Sequence, residues 1–279
     1  MTTRHYSLIK GFALATLMPL FAACSSENDA TVPGGEAQPV QIDITRATTD
    51  GNDWTWENGD QLKLYVTSYG SDAPTEETLA YNGSTWSTFI VTLPATVEAC
   101  YPATATLTSF TIPTNQSAGI AGADYMTTAS SQQLNGNDLS LALVHRLCKV
   151  AVTISGYEDY SGTPAVESEV FNSYLTVNYN NDAWTGTGEL TSVTPFKTES
   201  SADGHHTYQA IVAPASSYSP FMTLKVNGKD RTVNCNQALV SGNAYTFNLT
   251  VRNPDAATRS AGISDYELEL VEVRDLNEE

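Results

Sequence analysis

Apolar residues at every second position constrain this chain more than any other feature. Val40, Ile42 and Ile44 alternate with Gln41, Asp43 and Thr45, and Leu62, Leu64 and Val66 repeat the pattern. Tyr245, Phe247, Leu249 and Val251 alternate with Thr246, Asn248 and Thr250. Successive side chains of a strand point to opposite faces, so this period, carried by β-branched and aromatic residues, means strands with one face buried. Turn chemistry agrees. Asn227-Gly228 separates Phe221–Val226 from Lys229–Val233 as a two-residue hairpin loop, and Asn82-Gly83 separates Leu79–Tyr81 from Trp86–Phe89. No window combines a helical period with caps at both ends. The chain is expected to be all-β.

The run Leu139 to Ile154 changes phase. Leu139, Leu141 and Leu143 put the apolar face on odd positions, whereas Cys148, Val150, Val152 and Ile154 put it on even ones. Such a change needs a bulge or a strand that passes from one sheet to another, and His145 and Arg146 sit at the switch, in a structural role. The polar, turn-rich Gly156–Pro164 then predicts a boundary between two β-sandwich units, 47–156 and 157–252. Residues 253–279 form a linker and a C-terminal strand. In it Tyr266, Leu268 and Leu270 alternate with Glu267 and Glu269, then Val271 and Val273 with Glu272, a single phase slip of the kind one bulge makes. Two readings stay open for this tail. It is the last strand of its own sandwich, or it is a donor strand, Asn253–Gly262 being long enough to reach roughly 30 Å when extended.

At the other end Arg4, His5 and Lys10 precede the short apolar stretch Gly11–Phe21, then Ala22, Ala23 and Cys24. The stretch is too brief to span a bilayer and has the order of a cleaved signal peptide, residues 1–23. A thiol at the cleavage point can take a diacylglycerol, so Cys24 is predicted to be lipidated. Phe21 stands where the usual lipoprotein box has Leu. Residues 24–46 comprise a polar, flexible tether followed by the first alternating strand. Processing leaves 11 Lys and Arg against 31 Asp and Glu, a net charge of −20. That balance argues against nucleic acid or anionic lipid headgroups as partners. Of the remaining cysteines, Cys100, Cys148 and Cys235, at most one pair can bridge. Cys100 with Cys148 is the candidate disulfide; buried free thiols are the alternative. No spacing fits a zinc site or a known catalytic or phosphate-binding motif, so neither enzyme activity nor a cofactor is expected. Asp53–Asp60 mixes aromatics and acids as a sugar or calcium site would, but the simpler reading is a turn entering a strand with Trp54 and Trp56 packed at a sandwich edge.

Several segments together carry a resemblance. They are Trp56-Glu-Asn-Gly-Asp60 with the following Gln61–Val66, Tyr101-Pro102, Ile112-Pro-Thr-Asn-Gln116 and Asp124-Tyr-Met126. Further along come Leu141–Val152 with His145 and Lys149, Ala210-Ile-Val-Ala-Pro214, and Ser241-Gly-Asn-Ala-Tyr245. In order and spacing they resemble the fimbrillin-like proteins of Bacteroidetes, the type V pilin group. Glu27 and Asp29, close to Cys24, are similar to the surface-export signals of Bacteroidetes lipoproteins.

The resemblance implies two tandem transthyretin-like β-sandwich domains and an outer-membrane, surface-exposed lipoprotein held by its acyl chains. It also implies a place in a fimbrium, with other pilin subunits as partners and an adhesion ligand left open. Members of this group polymerise after an Arg-specific protease removes an N-terminal segment. Here Val40-Gln-Ile-Asp-Ile-Thr-Arg46 ends in an arginine, so the implied cut lies between Arg46 and Ala47. The vacated groove would accept another subunit's strand, with Tyr266, Leu268, Leu270, Val271 and Val273 as donor residues. Burying about five apolar side chains at about 1.5–3 kcal/mol each gives about 8–15 kcal/mol before ordering costs. The competing reading is a monomeric surface lipoprotein that binds glycans or host proteins, with Trp54, Trp56, Trp86 and Trp184 as aromatic platforms.

Overall fold

The computed structural model describes residues 37–46, 55–198, 206–256 and 264–278. The signal segment, Cys24, Ala47, Trp54 and His205 lie outside the described residues. Among the described residues there are strands and one short 3-10 turn, Ala121–Ala123, and no α-helix. The expected all-β class is what the alternation builds.

The first sheet contains β1 (Ala37–Arg46), β2 (Gln61–Ser68), β3 (Thr75–Ala80), β4 (Phe89–Thr92) and β5 (Ala95–Tyr101). It is completed by β7 (Met126–Thr128), β8 (Gln132–Leu134) and β9 (Asp138–His145), and its order is β3-β2-β5-β7-β9-β1-β4, with β8 on β5. Leu79 of β3 and Phe89 of β4 stand at opposite ends of that order yet share one core with Leu62, Leu64, Val97 and Leu141, so the sheet curls onto itself.

Two five-stranded sheets follow. One runs β13 (Phe196–Lys197), β14 (Thr207–Val212), β10 (Cys148–Glu158), β17 (Asn243–Arg252) and β18 (Tyr266–Asp275). The other runs β12 (Ala183–Val193), β11 (Val166–Asn180), β15 (Tyr218–Val226) and β16 (Lys229–Cys235), with β6 (Ser109–Thr111) on β11. Val150, Val152 and Phe247 from the first meet Phe171, Phe221 and Val233 from the second in one core, which makes this pair a sandwich. Asn227 and Gly228 both have positive φ, 50° and 74°, as a type I′ hairpin between Val226 and Lys229 requires.

The phase change marks the passage between sheets. β9 ends at His145 in the first sheet and β10 starts at Cys148 in the second. Gly156–Pro164, expected as a boundary, instead joins β10 to β11, two strands of facing sheets around one core. Residues 148–156 therefore pack with the second set of strands, not the first. Nor is the division clean, because Gly34–Glu279 is one compact unit. A third cluster joins Cys100, Phe110, Ile112 and Tyr125 to Val177, Trp184, Ile211 and Ala213. Gln116, 2% exposed, holds this junction like a missing ladder partner: its amide accepts from Ile211 N (2.7 Å) and donates to Ile211 O (2.9 Å).

Candidate functional site

Strand β1 is built to be held by one edge and one face. Its first half pairs antiparallel with β4, Ala37 to Thr92 through Val40 to Phe89, and its second half pairs parallel with β9, Gln41 to Asp138 through Arg46 to Leu143. Alternation buries Val40 and Ile44 fully and Ile42 partly, leaving Gln41, Asp43 and Thr45 outside. Two full side chains amount to about 3–6 kcal/mol, less than the five-residue estimate for a replacement strand. For β4 the ladder with β1 is its only one among the described residues. Taking β1 away would leave Phe89 and Val91, each 4% exposed, on a strand without a backbone partner.

A tryptophan latches this strand. Trp56 Nε1 donates to Ile44 O (3.0 Å), and its ring meets Trp86 edge-on at 4.9 Å and Tyr101 at 5.3 Å. The turn that presents it is fixed by Asp60, whose carboxylate accepts from Glu57 N (2.8 Å) and Tyr101 O–H (2.9 Å), while Gly59 supplies φ +98°. The described part of the acidic and aromatic motif, residues 55–60, is thus a turn entering β2 with Trp56 packed, as the simpler reading had it for these residues. Among the described residues no three His, Cys, Asp or Glu side chains gather as a metal ligand set.

The tail is the outer strand of its sheet. β18 pairs antiparallel with β17 from Tyr266–Val251 to Asp275–Asn243, and the register skips Val271 between Leu270 and Glu272, where the sequence slips phase. Leu270, Val271 and Val273 remain 37%, 55% and 46% exposed. Tyr266 and Leu268 pack partly against the second core, and Tyr266 O–H accepts from Asn234 N (2.9 Å). The far end is tied down: Leu276 is 2% exposed, and Asn277 clips the His145 backbone through Oδ1 (2.7 Å) and Nδ2 (3.3 Å).

The candidate disulfide is not formed. Cys100, Cys148 and Cys235 are all buried free thiols. Cys100 lies in the junction cluster and Cys148 in the second core, where its Sγ donates to Val240 O (3.1 Å). Burial pushes the Cys100 thiol up to about 11 and raises Cys148 and Cys235 as well, so none is a ready nucleophile. Of the lipidation and maturation residues, Cys24 and Ala47 lie outside the described residues, and Arg46 closes β1 opposite Leu143.

A cluster that sequence reasoning did not assemble lies at the sheet crossover. Asp124 Oδ2 and His145 Nδ1 approach to 2.8 Å, each side chain 2% exposed. Arg146 N donates to Tyr125 O (2.9 Å), Ser241 Oγ to Arg146 O (2.9 Å) and Gly242 N to Leu147 O (2.9 Å). The first sheet, the second sandwich and the tail are pinned at one point.

Comparison with known proteins agrees with this architecture. A putative cell adhesion protein of Bacteroides ovatus superposes with a TM-score of 0.60 at 15% identity, covering 86% of this chain and 98% of its own. Another from Bacteroides uniformis gives 0.57 at 18% identity, covering 86% and 99%. At such identities the likeness is one of fold. No curated protein sequence matches. The family model described as fimbrillin-like matches residues 45–265, leaving β18 and β1 up to Ile44 outside the match. Since that match spans most of the sequence and the sheets have the corresponding fold, the chain belongs to the fimbrillin-like family.

Proposed function

We propose that this chain is a surface lipoprotein that serves as a structural or accessory subunit of a type V pilus and assembles by proteolysis-triggered strand exchange. Its two cores are then two transthyretin-like sandwiches, Cys24 carries the lipid, and cleavage after Arg46 releases β1. The observation that carries this reading is the double role of β1, sole ladder partner of β4 among the described residues and filler of the first core through Val40 and Ile44. Its loss opens both an edge and a groove, which a strand from another subunit restores. The proposed cut follows Arg46, the residue of β1 that pairs with Leu143 of β9.

Arg46→Ala is expected to keep residues 24–46 attached and to abolish polymer in shear preparations, while the monomer melts as the unmodified chain does. Native polymers whose subunits begin at Cys24 would overturn the maturation step. Anchoring has its own check. Cys24→Ala should move the protein out of the membrane fraction and remove metabolic palmitate labelling; a variant that still labels and sediments with membranes contradicts the lipid anchor.

A further inference from the structure

Tyr179 and Trp184 face each other across the hairpin of β11 and β12, with ring centroids 5.1 Å apart. The two-residue loop between β11 and β12 is held by Asn181 and Asp182, both at positive φ. Behind them Tyr125 meets Trp184 edge-on at 5.1 Å and Phe110 stacks on Tyr125 at 5.1 Å, so the indole is braced from below. Arg146, brought in by the sheet crossover, lies over the Trp184 ring at 5.7 Å. Arg146, Tyr179, Asp182 and Trp184 line a cleft of about 510 Å³, walled on its other side by Pro214–Ser216 and Ala238–Ser241. That volume is in the usual range for a small-molecule site.

Two polar groups in this cleft lack the partners their burial calls for. Trp184 is 9% exposed, and its indole N–H has no acceptor among the described residues. A buried donor is left unpaired only at a cost, which marks this wall of the cleft as one not built for packing alone. Arg146 uses two of its five N–H donors, Nε to Thr127 Oγ1 (2.8 Å) and Nη2 to Thr128 O (3.0 Å). No carboxylate pairs with it among the described residues, although the chain has 31 acids to 13 bases. Burial also pulls the guanidinium below its ordinary value, a sign of an under-solvated cation. Tyr179, 41% exposed, offers a ring face at the mouth.

From this arrangement we infer that the cleft is a binding site for a saccharide unit carrying one carboxylate, of the uronic or sialic acid type. The carboxylate meets Arg146, and the C–H face of the ring lies on Tyr179 at the mouth. An acidic peptide fits less well, because extended chains bind along an open strand edge. Here the walls are already paired, Ala215 N to Leu239 O (3.0 Å) and Leu239 N to Ala215 O (2.8 Å). Asp182, at the rim and accepting from Tyr179 O–H (3.4 Å), sets the charge limit, repelling ligands with a second negative group nearby. The cleft's chemistry is independent of strand removal, so it can be tested on the monomer without reference to assembly.

The experiment is saturation-transfer NMR with tryptophan fluorescence on the full chain, using glucuronic acid, N-acetylneuraminic acid, glucose and a glutamate-rich pentapeptide as probes. Both acidic sugars should give saturable signals and glucose should bind about tenfold more weakly or worse, as loss of a charged hydrogen bond implies. Tyr179→Ala, on an exposed hairpin, should weaken the acidic sugars about tenfold at an unchanged melting temperature, and Asp182→Asn should tighten them. Arg146→Gln should erase the preference for acid over glucose; if it does not fold, the two hairpin variants still decide. No saturable signal from either acidic sugar, binding indifferent to Tyr179→Ala and Asp182→Asn, or a preference for the pentapeptide would each overturn the assignment.

Discussion

Asp124→Ala is expected to lower the unfolding free energy by about 3–5 kcal/mol, the cost of stripping one partner from a buried pair. With a folded state worth about 5–15 kcal/mol, that brings the chain close to unfolding. The reason is local. Asp124 and His145 are each 2% exposed and 2.8 Å apart, so the imidazole would be left buried without its carboxylate. No water can reach it without opening the crossover, where Arg146, Leu147 and Gly242 also exchange backbone hydrogen bonds with their neighbours. Asp124→Asn, which keeps one acceptor oxygen, should lose only about 1–3 kcal/mol. Urea unfolding with the slope held common to all three proteins measures this. A loss below about 1 kcal/mol for the alanine variant would mean that the pair is replaceable and that the crossover is held by its backbone alone.

That crossover shows what a sequence can and cannot say. The odd-to-even phase change over Leu139–Ile154 placed the sheet switch at His145 and Arg146, because a period of two cannot hide a one-residue slip. The same logic found the skipped Val271 in β18. Hairpin partners were legible at Asn227-Gly228, where the turn itself fixes the register. Distant partners were not. Nothing in Val40–Arg46 says that its second half runs parallel to β9 nearly a hundred residues on, since alternation reports which face is buried and is silent about which strand lies alongside. The expected boundary at Gly156–Pro164 failed for a related reason. A polar turn between strands looks the same whether it links two domains or two sheets of one sandwich.

The polar sites were the least legible. Gln116 has the sequence surroundings of a loop, yet both ends of its amide bond to Ile211 at 2% exposure. Asp124 and His145 lie 21 positions apart with no motif between them. Arg146, Tyr179 and Trp184 come together because the crossover and a hairpin from another sheet meet, which only the three-dimensional arrangement reveals. Cys100 and Cys148, the candidate disulfide pair, are not brought together. They are separated because the phase change sends Cys148 into the second core.

Deleting residues 264–279 is expected to leave a folded monomer that no longer assembles. β18 is an edge strand, so its removal strips one side of β17 while the ladder with β10 holds the other. Leu276 is the one apolar side chain of this segment that is fully buried, worth about 1.5–3 kcal/mol, and the Asn277 clip adds to it. At about 2–4 °C per kcal/mol in a chain of this size, Leu276 alone corresponds to a fall in melting temperature of about 3–12 °C. Assembly should suffer far more under the proposal that β18 is the donor strand, since Leu270, Val271 and Val273, 37%, 55% and 46% exposed, are the apolar side chains it would place in a neighbour's groove. A truncated protein that unfolds or is degraded would show that the tail belongs to its own core, and one that still polymerises would remove it as the donor. The sharper variant is Val271→Glu with Val273→Glu. Both side chains face solvent in the monomer, so stability should change by about 0.5 kcal/mol or less at each position, while a carboxylate pushed into an apolar groove should block polymer growth. Light scattering of the matured protein beside its melting curve separates the two effects, and normal polymerisation of the double variant would leave β18 as no more than the last strand of its sheet.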